Sequence, residues 1–131
     1  VVNCAGPQIG LISEMVGVHV PVACARLESM ITVPLPPLFE VAMVAHGLSL
    51  RQTRRGNIHF NGGPHEWVDV GLTAEPAKPN TPIIRNMARR LAELFPSLAN
   101  VQVLRSWAGI VEMTPDELLP EQFEADDLPA G

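Results

Sequence analysis

The chain has 131 residues, 47 % of them hydrophobic and 18 % charged, which is a globular composition and excludes an intrinsically disordered chain. Its net charge of −5 is unevenly placed: residues 1–110 hold nine basic and seven acidic side chains, and residues 111–131 hold seven acidic and no basic ones. The acidity is therefore a tail property and carries no information about what the rest of the chain binds.

No apolar run approaches the roughly 20 residues of a membrane-spanning helix, and the first residues lack the basic start of a secretory signal. A cytoplasmic address without membrane contact is expected. Cys4 and Cys24 are then expected as reduced thiols.

In chain order, Val1-Val2 reads as the end of a buried strand entering a turn at Asn3-Cys4-Ala5-Gly6. Pro7 suits a first helical position, and Ile9, Leu11, Ile12, Met15 and Val16 form an apolar stripe stopped by Gly17. Val18 to Val33 is β-rich, with Met30 to Val33 its clearest part, and Pro34 to Pro37 ends it. Leu48 to Thr53 and Asn57 to Asn61 predict a hairpin around Arg54-Arg55-Gly56, closed by Gly62-Gly63-Pro64. Thr81 as cap and Pro82 behind it open a second helix, with Ile83, Ile84, Met87, Leu91, Leu94 and Phe95 on one face. Val101 to Met113 is a final strand region, and Glu117 to Gly131 an acidic tail expected to fray. The order predicts an α+β fold, a mostly antiparallel sheet with two helices packed on one face, over residues 1–116, followed by the tail at 117–131.

Several site types find no support. The histidines and cysteines have no metal-ligand spacing, so no metal site is expected. Arg51, Arg54 and Arg55 form a small basic patch without interleaved aromatic residues, which argues against nucleic acid. No serine lies in a nucleophile elbow, and no catalytic residue is assigned.

Six segments, taken together and in order, carry a resemblance. They are Val1-Val2-Asn3-Cys4-Ala5-Gly6, Arg26-Leu27-Glu28-Ser29-Met30-Ile31-Thr32, Leu50-Arg51-Gln52-Thr53, Gly56-Asn57-Ile58, Arg105-Ser106-Trp107-Ala108-Gly109-Ile110 and Met113-Thr114-Pro115-Asp116. The chain resembles the substrate-binding domain of the D-amino-acid oxidase family of FAD-dependent oxidoreductases, the group of glycine oxidase, sarcosine oxidase, D-hydroxyproline dehydrogenase and hydrogen cyanide synthase.

The resemblance implies that Cys4, Ala5 and Gly6 are a remnant of the flavin-binding edge, where small residues let the backbone approach the cofactor. It also implies a sheet that roofs the flavin and contacts the substrate. Three departures stand out. The Gly-x-Gly-x-x-Gly loop is absent, and Glu117 to Glu121 replaces the segment that returns to the flavin. Val111 stands where many relatives carry the arginine that clamps the substrate carboxylate. The expectation is a domain truncated at both ends, inactive alone and holding no FAD by itself, unless a flavin-binding partner subunit completes it. A homodimer through the surface that faces the flavin domain in relatives is the expected alternative association.

Four residues are candidates for substrate contact. Arg51 is open to two readings, a replacement carboxylate clamp or an arginine lying along a sheet edge. His59 shares a strand face with Asn57 and Asn61 by alternation, as a site residue or as a hydrogen-bonded structural histidine. Trp107 belongs either to the core or to a pocket wall. Glu28 either meets an amine or lies on an exposed strand face.

Overall fold

The computed structural model describes residues 2–73 and 75–115. Pro7 enters a 3-10 turn, Gly6–Gln8, which continues into the short helix α1, Ile9–Glu14. The helix stops as expected at Gly17, whose N–H donates to the Glu14 carbonyl. Its apolar stripe is not a core stripe, however. Within α1 only Ser13 is buried, and Met15 just beyond it is 64 % exposed.

Five strands follow: β1 (Ala23–Pro34), β2 (Met43–Ala45), β3 (Leu48–Gln52), β4 (Asn57–Val68) and β5 (Val103–Met113). They form one antiparallel sheet in the order β2-β3-β4-β1-β5. The 14-residue helix α2, Thr81–Leu94, lies between β4 and β5 in the chain. The α+β expectation therefore holds, with two α-helices and a five-stranded sheet among the described residues.

The hairpin falls where the sequence places it, with Leu50 opposite Phe60 and Arg51 opposite His59. Gly56 takes φ +91° and closes the turn through its N–H to the Thr53 carbonyl. Three details differ from expectation. Gly62-Gly63-Pro64 does not end the unit, because β4 runs through it to Val68. Gly62 adopts φ +125° there, and a Cβ on it would stand 2.4 Å from the Gly47 carbonyl oxygen. The glycine marks a close approach of two backbones, which local sequence cannot distinguish from a turn.

The second difference is β2, joined to β3 through His46 (φ +52°) and Gly47 (φ +70°), a two-residue turn with both central residues left-handed. Arg90 Nη1 donates to the His46 carbonyl at 3.0 Å and His46 Nε2 meets Glu93 Oε2 at 2.7 Å, fastening this turn to α2. Thirdly, Asn80 and not Thr81 occupies the capping position of α2, and its side chain makes no cap bond. Asn80 Nδ2 donates instead to Glu66 Oε2 at 3.1 Å, while Pro82 serves the first turn as expected.

The chain divides into two compact units. One contains Val1–Ala25, Trp67–Ala74 and the residues from Val111 on; the other contains Arg26–Glu66 and Glu75–Ile110. The core of the second is built from Met30, Leu48, Leu50, Ile58 and Phe60 of the sheet, Ile83, Met87 and Leu91 of α2, and Leu98. The helix positions repeat at intervals of four and the strand positions at two, so each element buries one face.

Met87→Ala, in the middle of this core, is expected to lower stability by about 2–5 kcal/mol. Met15→Ala, largely exposed, is expected to change it by no more than about 0.5 kcal/mol. Equal urea midpoints for the two variants would contradict the assigned core.

Candidate functional site

The strand alternation that buries Leu48, Leu50, Ile58 and Phe60 turns their neighbours to the opposite face of the sheet. Arg51 and His59 are direct cross-strand partners on that face. The His59 ring stacks on the Trp107 indole with centroids 5.4 Å apart and planes 19° from parallel. Because β1 lies between β4 and β5, the two rings meet across an intervening strand. Arg105, two residues before Trp107, places its guanidinium carbon 5.1 Å from the indole centroid.

The result is a half-buried aromatic pair between two exposed arginines. Among the described residues neither Arg51 nor Arg105 has a carboxylate partner. Asn57, the neighbour of His59 on this strand, is occupied in donating to the Thr32 carbonyl at 2.9 Å.

Burial holds His59 below the usual histidine range, and the nearby Arg51 cation lowers it further. The ring is therefore neutral at pH 7, offering one donor and one acceptor beside a fixed cation. The arrangement can hold a carboxylate by charge-assisted hydrogen bonds and lay an apolar group against the rings.

The structure brings three of the four candidate residues together and sets the fourth apart. Glu28 is fully buried on the core side of β1, in line with Met30 and Thr32. Its Oε1 accepts from the Asn80 backbone N–H at 2.9 Å, at the start of α2, and lies 3.7 Å from Arg26 Nε. Arg26 in turn pairs through Nη2 with Glu66. Glu28 Oε2 has no hydrogen-bond partner among the described residues. Arg105 is the site residue that sequence reasoning passed over. Its position two residues from Trp107 in a strand was the available signal, since such residues share a face.

Cys4, Ala5 and Gly6 belong to the other unit. Asn3 Oδ1 accepts from the Ala5 N–H at 3.1 Å, which shapes the turn, and Cys4 is exposed. Cys24 is buried, with its thiol donating to the Pro7 carbonyl at 3.3 Å and its pKa raised, by burial first and then by the Glu112 charge. Both cysteines are free, as expected. Val111 is half-buried and offers an approaching anion no side-chain donor.

These features define an α+β domain whose sheet buries one face under a helix and presents a cationic, aromatic face on the other. The chain belongs to the DAO family of FAD dependent oxidoreductases, whose family model matches residues 1–125.

Among characterised relatives, it is 27% identical over 109 residues to the sarcosine oxidase subunit beta of Rhodobacter capsulatus, covering 81% of this chain and 25% of that protein. Among solved structures it is similar to L-proline dehydrogenase from P. horikoshii, at 27% identity and a TM-score of 0.70, covering 87% of this chain and 31% of that one. Glycine oxidase from Geobacillus kaustophilus, at 19% identity and a TM-score of 0.73, shares the fold over 88% of this chain and 30% of its own. The chain thus spans between a quarter and a third of the length of these relatives.

The described residues do not fit FAD as a whole. The unit containing Cys4, Ala5 and Gly6 holds no lysine or arginine to meet a pyrophosphate. Its helix α1 is a six-residue segment. The Cys4–Gly6 backbone offers at most an edge.

The lowered pKa of His59 gives a prediction with a definite sign. The folded state disfavours the protonated ring, so this contribution to stability is complete above pH about 6.5 and is lost as pH falls through the lowered folded-state value. Arg51→Gln is expected to move the His59 pKa upward without restoring it fully, because burial is the larger cause. Ring-proton chemical shifts followed against pH in both proteins check this. An unchanged or lower value in the variant would refute the coupling.

Proposed function

We propose that this chain is the substrate-binding part of an FAD-dependent oxidoreductase acting at the carbon–nitrogen bond of an amino acid or secondary amine. The observation that carries the reading is the Arg51 guanidinium, without a carboxylate partner among the described residues, set opposite His59, which stacks on Trp107. In this proposal Arg51 takes over the carboxylate-clamping task that Val111 cannot perform, and the two rings form the wall against which the apolar part of the substrate lies. Glu28 acts as a support for α2 and does not meet the amine.

FAD would be held mainly by residues outside those described, contributed by further chain or by a partner subunit. Cys4, Ala5 and Gly6 would then approach one edge of it. The relation to a sarcosine oxidase subunit beta supports a partner subunit, since that relative is itself named as a subunit. Among the described residues no helix is long and apolar enough to cross a membrane, and a cytoplasmic location is proposed with the same reading.

A second reading, a non-enzymatic module that associates with itself or a partner, draws support from exposed apolar side chains. In the first unit Val2, Met15, Val16, Trp67 and Leu72 are all exposed, and such groups are commonly covered in an assembly.

Flavin tests the first reading's dependence on additional flavin-binding residues. The 131-residue chain alone is expected to be colourless, to bind no FAD in isothermal titration and to reduce no dye with sarcosine or D-proline. A yellow protein that turns over either amine would overturn the proposed dependence on additional flavin-binding residues. Light scattering separates association from its absence: a monomer at high concentration would count against the second reading.

A further inference from the structure

Every lysine and arginine of the chain lies in the unit that carries α2, and the other unit has none. That other unit holds Glu14, Asp69 and Glu112, and residues 116–131 bring it six more acids. Its single imidazole is His19, with Nδ1 4.0 Å from Glu14 Oε1. The same unit contains a groove of about 950 Å³. The groove walls are mainly apolar, with Leu11, Val22, Trp67, Val70 and Met113 among them. Glu14 and Asp69 line it as well, and both are exposed.

An apolar groove flanked by the exposed side chains of Met15, Val16 and Leu72 is the kind of surface that an assembly covers. Charge decides between the occupants. Two copies related by a two-fold axis would set the same acidic face against itself, and like charge opposes that contact. Residues 116–131 carry no base and are opposed for the same reason. The cationic unit of a second copy could reach the groove only head to tail, an arrangement that does not close into a dimer. The complement to this groove is an apolar surface with its own cations. An amphipathic helix presents one, with apolar side chains on one face and basic ones at its flanks.

We propose that the groove is the docking site of a partner protein, entered by a basic amphipathic helix. The apolar face of that helix lies on Leu11, Val22, Trp67 and Met113, and its lysines or arginines stand beside Glu14 and Asp69. This rests on the reading of the chain as a partner-binding module and adds the chemistry of the partner; it requires neither flavin nor substrate.

The test uses the 131-residue chain and three helical peptides of about 15 residues. They share one leucine face and carry lysine, glutamine or glutamate on the other. Binding is located and measured from the Trp67 indole and the Leu11, Val22, Val70 and Met113 methyl NMR signals. At low salt the lysine peptide is expected to bind about tenfold more tightly than the glutamine peptide, and the glutamate peptide more weakly than either. The spread is expected to narrow as salt rises.

Glu14→Gln combined with Asp69→Asn is expected to weaken the lysine peptide about threefold and to leave the glutamine peptide unchanged. Both side chains are exposed, so the double change removes no core contact. Equal affinities for the three peptides, shifts confined to residues 116–131, or a lysine advantage untouched by the double variant would overturn the basic partner. Light scattering then separates that failure from failure of the underlying reading. A dimer or larger assembly leaves association standing, with a second copy as the occupant. A monomer whose groove signals none of the peptides moves removes both.

Discussion

The packing of α2 against the sheet is the constraint on which the rest of the second unit depends. Ile83, Met87 and Leu91 need an apolar surface, and Leu48, Leu50, Ile58, Phe60 and Met30 supply it. Burying such side chains contributes about 1.5–3 kcal/mol each, so the strands have little freedom in choosing which face to turn inward. A slip of one residue in β3 against β4 would exchange Leu50 for Arg51 at the helix and place a cation in the core. The hairpin register that buries Leu50 opposite Phe60 is thus the same register that turns Arg51 and His59 outward as partners. The site follows from the core by exclusion.

The other end of α2 shows how charge is managed inside this fold. Glu28 is fully buried, and its carboxylate meets the backbone N–H at the start of the helix, where the helix dipole favours a negative charge. Arg26 lies between Glu28 and Glu66, and Asn80 joins the group through Glu66. A buried charge held in this way adds little net stability compared with an apolar replacement, but removing one member leaves the other uncompensated. The network fixes the place at which α2 begins. It thereby connects β1, β4 and the helix at the point where the chain returns from outside the unit.

On the open face the balance is reversed. Among the described residues, the acidic side chains that pair with Arg26 and Arg89 have no counterpart paired with Arg51 or Arg105, and the overall negative charge of the chain comes from residues 111–131. A net charge of −5 therefore conceals a locally cationic surface. The aromatic stack beside those cations is neutral, since burial and Arg51 both oppose protonation of His59.

Local chemistry in the sequence determined the α+β class, the hairpin from Leu48 to Asn61, the helix behind Pro82 and the membership of the family, because each rests on short-range periodicity, turn residues or motifs read in order. It also placed Arg51, His59 and Trp107 among the candidates. It could not show that Glu28 is buried under a helix start 52 residues away, or that Gly62 brings β4 against Gly47 instead of ending it. Nor could it join His59 to Trp107 across an intervening strand, or add Arg105 beside them. Those relations depend on strand order and on which faces the core claims, quantities set by contacts between residues far apart in the chain, and only the tertiary structure decided them.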